Sequence, residues 1–263
     1  MELNLQGKTA LVTGASYGLG FACAKALAQE GASVAICSRN LETVEKAAKE
    51  IADETGQHVF ALQADLTNDD DLANLVSNAK AKLGSIDILV LSTGHPPTYS
   101  LAKATDEHWQ EGNNLILRPT IQLTRELLPE MRQRKYGRFI YIGSVLGLQA
   151  KPSSIIQSTL RTGINAFSKC IATEAAIDGV TANVLCPGYF ETPLLKTLAD
   201  KLESESDKDT ADKLLAEWEE STPTKKFGKP EDFGAFVSFL ASPRGEYFNG
   251  TSIAIDGGSL KRY

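Results

Sequence analysis

Thr9-Ala10-Leu11-Val12-Thr13-Gly14-Ala15-Ser16-Tyr17-Gly18-Leu19-Gly20 is the stretch from which the rest of the chain is read. A short apolar run enters a turn with three glycines, and a helical pattern follows from Phe21 to Glu30. Gly14 permits a tight turn, while Gly18 and Gly20 let the backbone and the helix close on an anion held at the helix N-terminus. A glycine-rich run standing alone is only a turn. Between a strand and a helix it reads as a pyrophosphate-binding loop, with Ser16, Tyr17 and Leu19 set between the glycines.

Outward from that loop, short apolar runs recur at residues 9–12, 33–37, 59–62, 86–91, 139–142, 181–185 and 252–255. Several are apolar at nearly every position, as parallel strands buried on both faces require. Helical patterns begin near Gly20, Leu41, Asp69, Asp106, Ser154 and Pro230. Each parallel connection needs a crossover, so the alternation predicts an α/β fold. The expected form is a Rossmann-type doubly wound seven-stranded parallel sheet with helices on both faces, and residues 1–263 form a single domain. Gly31 and Gly56 stand where left-handed C-caps would end the first two helices. Thr67 is placed to cap the helix that opens with Asp69, Asp70 and Asp71, three charges suited to a helix N-terminus.

Hydrophobic residues make up 42% of the chain, enough to cover a sheet on both faces. The net charge is -6 and basic residues form nothing longer than pairs such as Lys225-Lys226, which argues against nucleic acid as a partner. Cys23, Cys37, Cys170 and Cys186 lack Cys-x-x-Cys spacing, so no metal site is expected and all four read as reduced core residues. No window approaches the ~18 apolar residues of a membrane span, and Met1 to Gly7 carries no apolar signal region. A cytoplasmic protein without a membrane partner is the expectation.

Residues 191–226 differ from the rest. They are strongly charged, with Leu194, Leu195, Leu198, Leu202, Leu214, Leu215 and Trp218 at roughly helical spacing, and two amphipathic helices inserted before the last crossover are expected. Two readings stand side by side. One is a solvated insertion packed through its leucines. The other is a lid-like element, since it follows the sixth strand at the edge where open α/β sheets bind ligands.

Thr13-Gly14-x-x-x-Gly18-x-Gly20, together with the order of elements along nearly the whole chain, resembles the short-chain dehydrogenase/reductase family. The resemblance implies that Asp65-Leu66 contacts the adenine. It implies also that the main chain at Leu91-Ser92-Thr93-Gly94 lines the cofactor, and that Pro187-Gly188 with Thr192 covers the nicotinamide. At the end of the second strand an acidic residue would accept from ribose hydroxyls, but here the sequence is Ser38-Arg39-Asn40. The planar donor fork of Arg39 and the hydroxyl of Ser38 suit a 2′-phosphate, which favours NADP(H) over NAD(H). Otherwise Arg39 is a solvent-exposed loop residue, and Tyr17 stands where NADP-dependent relatives often have a second basic residue.

The same resemblance places the catalytic positions. Ser144, ending the Gly137 to Gly143 strand, matches the substrate-holding serine, and the helix running from Trp109 carries Asn114 as the relay asparagine. Asn114 could instead bond to the backbone inside a helix kink. The expected Tyr-x-x-x-Lys falls thirteen residues beyond Ser144, where the sequence reads Gln157-Ser158-Thr159-Leu160-Arg161. A glutamine amide can donate a hydrogen bond to a carbonyl oxygen but has no proton to transfer at accessible pH. Arg161, one turn along the same face, could place charge near a developing oxyanion but cannot shuttle a proton. Tyr189, Tyr99 and His95 are substitutes within reach of the expected cleft; Tyr141 falls on the other face of its strand.

Two functions follow as expectations. The first is an NADP(H)-dependent oxidoreductase passing hydride to or from a small-molecule carbonyl or alcohol, with slight likeness to 3-oxoacyl-carrier-protein reductases. The second is a catalytically silent NADP-binding sensor or assembly protein. The family resemblance also implies a homotetramer, with a homodimer as the alternative, built on residues 106–134 and 154–177.

Overall fold

Continuous apolar runs become strands with no solvent-facing side. Every residue of β1 (Thr9–Thr13), β4 (Ile88–Leu91) and β5 (Gly137–Ile142) is buried in the computed structural model, which describes residues 2–96, 98–195, 197 and 208–261. With β2 (Ser33–Ser38), β3 (Val59–Gln63), β6 (Val180–Pro187) and β7 (Ser252–Ile255) they form one seven-stranded sheet, ordered β3-β2-β1-β4-β5-β6-β7. All six pairings are parallel. The strand order reverses between β1 and β4, so the turns leaving these two strands diverge and open a crevice at their C-terminal ends.

Alternate strand residues feed two cores. Leu11, Leu89, Leu91, Phe139 and Tyr141 face α3 (Asp69–Leu83), α5 (Leu117–Gln133) and α6 (Ile155–Ala175). Ala10, Val12, Ile88, Val90 and Ile140 face α1 (Gly18–Gln29), α2 (Leu41–Thr55) and the last helix, Pro230–Ala241. That last helix approaches α1 closely because Gly234 has no side chain: a Cβ there would lie 2.5 Å from the carbonyl oxygen of Ala22. The expected seven-stranded, doubly wound sheet is therefore the observed fold.

Three local expectations are corrected. Asn68, not Thr67, caps α3, its Oδ1 accepting from the amides of Asp70 and Asp71 at 2.9 and 3.1 Å. Residues 106–134 are two helices, α4 (Asp106–Leu115) and α5, broken at Ile116. The cause is Pro119, which offers no N–H to the carbonyl of Leu115 and whose ring crowds it; Thr120 Oγ1 donates instead to the Ile116 carbonyl at 2.7 Å. Cys23, Cys37 and Cys186 are buried as expected, but Cys170 is exposed on α6. Gly56 does end α2 in a left-handed conformation, and Gly31 also has positive φ.

In the 191–226 insertion, α7 (Lys208–Ser221) carries Leu214, Leu215 and Trp218 half-buried. The first of the two expected helices falls largely outside the described residues, as do Leu198 and Leu202. The final helix is α8 (Pro230–Ala241). Among the described residues no helix is long and apolar enough to cross a membrane, and no cluster of three His, Cys, Asp or Glu could hold a metal.

Candidate active site

The phosphate loop is built by close approaches. Gly14 has φ +57, and a Cβ there would sit 2.8 Å from the Ser92 carbonyl oxygen; at Gly20 it would sit 2.3 Å from that of Gly14. Thr13 ties the exits of β1 and β4 together, its hydroxyl donating to the Ser92 carbonyl at 2.7 Å and accepting from the Ser92 amide at 3.0 Å. The N-cap residue of α1, Tyr17, makes no side-chain capping bond, as is also true of α5, α6 and α8, whereas Asn40, Asn68 and Thr105 cap α2, α3 and α4. The amides of the first turn of α1 are thus left as donors at the positive end of a helix dipole, which is what a pyrophosphate requires. Ser16 is half-buried within the loop, Tyr17 is exposed, and Leu19 packs on the α1 side of the core.

The remaining cofactor positions surround this loop. At the end of β2, Ser38 Oγ donates to the Asn40 carbonyl at 3.0 Å, and Arg39 is exposed with its guanidinium unpaired among the described residues. Asp65 accepts from the amide and hydroxyl of Thr67 at 2.9 and 2.8 Å, and Leu66 is buried beside it. Past β6, the Gly188 amide donates to the Ile255 carbonyl at 2.9 Å, close under Asp256. The chain then returns toward α1, where Thr192 stands over Gly18: a Cβ on that glycine would meet Thr192 Cγ2 at 3.7 Å. These residues fit a dinucleotide laid from β2 across the α1 N-terminus toward β6.

The catalytic positions are less open. Ser144 follows β5, half-buried, its Oγ accepting from the Leu146 amide at 3.1 Å. Gln157 and Arg161 lie one turn apart on α6 and are only 1% and 4% exposed, so neither presents its polar end to solvent. Gln157 Nε2 donates to the Pro96 carbonyl at 3.2 Å and to Thr98 Oγ1 at 3.3 Å. Its Oε1 is buried without a partner among the described residues. Arg161 donates to the carbonyls of Ile142 at 2.8 Å and Gly94 at 3.2 Å. Burial lowers the Arg161 pKa to about 10, which leaves it charged at neutral pH. The Ile155 amide at the start of α6 also donates to the Tyr99 carbonyl at 3.1 Å. Helix α6 therefore grips the loop after β4 at Gly94, Pro96, Thr98 and Tyr99.

No hydrogen bond joins Asn114 to this group among the described residues. Its Oδ1 accepts from Gln110 Nε2 at 2.8 Å along α4, and the residue at the helix break, Ile116, is apolar and fully buried. Tyr141 is buried and bonded to Thr124 at 2.8 Å, away from the site as its strand parity required. Tyr189 is 37% exposed and stacks parallel on Trp218 of α7 at 5.2 Å, while Phe227 meets it edge-on. A separate groove of about 640 Å³ runs between α1 and α8, touching the loop at Gly18, but none of Ser144, Gln157, Arg161 or His95 lines it. The grip of α6 on the loop after β4 was missed in the sequence; its only trace there was the i, i+4 spacing of Gln157 and Arg161.

Residues 14–259 match a family model described as enoyl-(acyl carrier protein) reductase. The chain is 31% identical over 256 residues to the 3-oxoacyl-[acyl-carrier-protein] reductase FabG of Escherichia coli, covering 97% of this chain and 98% of that one. It is 32% identical to the E. coli oxidoreductase UcpA, covering 97% and 95%. Among solved structures, L-sorbose reductase from Gluconobacter frateurii complexed with NADPH and L-sorbose superposes with a TM-score of 0.95 at 30% identity, and each chain is covered in full.

Proposed function

Since the chain belongs to the short-chain dehydrogenase/reductase family of oxidoreductases, we propose that it binds NADP(H) and interconverts a small carbonyl compound and its alcohol without a tyrosine-lysine pair. The observation that carries this reading is the uncapped first turn of α1, set in a loop where Gly14 and Gly20 admit no side chain. Bound NADP(H) would supply or accept hydride at the nicotinamide. The first turn of α1 would hold its pyrophosphate, Arg39 and Ser38 its 2′-phosphate, and Asp65 with Leu66 its adenine. Gly94, Pro187, Gly188 and Thr192 would line the nicotinamide end. Ser144, half-buried after β5, would donate to the substrate oxygen. The NADPH-bound sorbose reductase and the reductase relatives support both the cofactor and a small polar substrate.

The burial of Gln157 favours a second reading, an NADP-binding protein that does not turn over, acting as a sensor or an assembly partner. Both donors of its amide are spent on the loop after β4, so none is left for a substrate carbonyl. Calorimetry with NADPH, followed by NADPH oxidation in the presence of L-sorbose and acetoacetyl thioesters, separates the two. Binding with turnover supports the enzyme; binding without turnover supports the silent protein; no binding sinks both.

A cytoplasmic homotetramer, or failing that a homodimer, belongs to the same proposal. Ile121 on α5 and Ile177 just past α6 are exposed apolar residues on the two segments expected at the subunit contact, Ile177 being 88% exposed. Light scattering tests the stoichiometry.

A further inference from the structure

Gln157 and Arg161 hold the two carbonyls that flank one residue, His95. Arg161 takes that of Gly94 and Gln157 that of Pro96, each at 3.2 Å. His95 between these two anchors is an exposed residue with a partly desolvated ring, while Gln157 and Arg161 are buried. Its place follows from the sheet. β4 pairs with β5 in parallel up to Leu91 and Tyr141, so the segments holding Gly94 and Ser144 leave the sheet side by side, three residues beyond that last pair. Arg161 bridges the two strand exits there, from Ile142 to Gly94. His95 is therefore the first side chain past Gly94, on the exit of β4 that Arg161 ties to the neighbouring exit of β5, the one that leads to Ser144.

We propose that His95 is the proton acceptor when an alcohol is oxidised at this site, and that Gln157 and Arg161 are positioning residues that present it. The inference rests on the oxidoreductase reading. In the step, the carbinol C–H bond breaks and its electron pair leaves as hydride to NADP⁺. The O–H bond breaks, its proton passes to the free imidazole nitrogen, and the C=O double bond forms. The imidazolium then loses its proton to water through its exposed edge. Partial burial and the Arg161 charge lower the His95 pKa to about 4, so the imidazole is neutral at neutral pH. Arg161 is the charged group acting on it; Tyr99, stacked at 4.1 Å on His108 of α4, follows on the same loop. In the reverse direction a neutral imidazole cannot give up a proton usefully, so reduction calls on the scarce imidazolium.

The test uses the full-length protein with NADP⁺ and either D-sorbitol or 2-butanol. His95→Asn is expected to lower kcat for oxidation roughly 10²- to 10⁴-fold, leaving the affinity for NADP⁺ within about twofold. In the wild type, oxidation should be flat in pH above about 5, while reduction gains roughly tenfold per unit as pH falls toward the His95 pKa. The chain has three histidines, so His95→Asn also assigns the His95 signal in a proton NMR titration. That signal should titrate near 4 and move up in Arg161→Met. His95→Asn with unchanged kcat and pH profile overturns the proposal alone. A wild type that binds NADP⁺ and turns over neither alcohol nor carbonyl overturns the oxidoreductase reading, and the proposal falls with it.

Discussion

Replacing Arg39 by alanine should weaken NADPH and spare NADH. The Arg39 guanidinium is exposed and has no partner among the described residues, so truncating it breaks no contact within the protein. The Arg39 carbonyl accepts from Gln63 Nε2 at 3.1 Å, and that bond survives the change. Asn40 next to it still caps α2 through the Thr43 amide at 2.9 Å. Stability should therefore move by less than about 0.5 kcal/mol. A hydrogen bond to a charged group contributes about 1.5–3 kcal/mol, and an exposed guanidinium on an exposed phosphate belongs at the lower end because water competes. At about 1.4 kcal/mol per decade, the Kd for NADPH should rise about 10- to 100-fold, nearer the smaller figure. The gap between the two cofactors should also narrow as salt is raised, since the contact is screened. Isothermal calorimetry with NADPH and NADH, at two ionic strengths, measures all of this. Equal weakening of both cofactors, or no change in either, would refute the assignment of Arg39 to the 2′-phosphate.

Gly20→Ala places a Cβ 2.3 Å from a backbone oxygen that cannot step aside, so it should cost about 1–3 kcal/mol in denaturant unfolding and abolish measurable NADPH binding. Asn68→Ala removes the acceptor for two amides at the start of α3 and should destabilise by about 1 kcal/mol without touching cofactor affinity, read from the same unfolding curves alongside calorimetry. Gln157→Tyr combined with Arg161→Lys releases the carbonyls of Pro96 and Gly94 and should lower whatever turnover the natural protein has; reductase activity appearing where the natural protein shows none would instead favour the silent reading.

What could be read in the sequence divides along physical lines. The sheet and its crossovers were legible because burial on both faces forces apolar residues at every position of β1 and β4, a signal local to each strand. The cap of α3 was misassigned by one residue because Thr67 and Asn68 are both good capping types, and only backbone geometry chooses between them. The break at Ile116 was only half legible: Pro119 conflicts with the carbonyl four residues earlier, yet Pro129 sits inside α5 without ending it. The fate of Gln157 and Arg161 was not legible. Three of their four acceptors are the backbone carbonyls of Pro96, Gly94 and Ile142, up to 67 residues away in sequence, and a carbonyl has no residue identity to read; the fourth is the Thr98 hydroxyl.

That last point bears on how such a site can change chemistry with its fold intact. Positions 157 and 161 share one face of α6, and that face looks onto the loop after β4 whatever residues occupy it. Environment does not make them a titrating pair. No field or burial gives a glutamine amide a transferable proton, and Arg161, though buried, keeps a pKa near 10. Proton transfer in this molecule must therefore come from a group outside that pair or not occur. His95, whose neighbours on both sides are held by the pair itself, is the titratable group that this arrangement carries at the exit of β4.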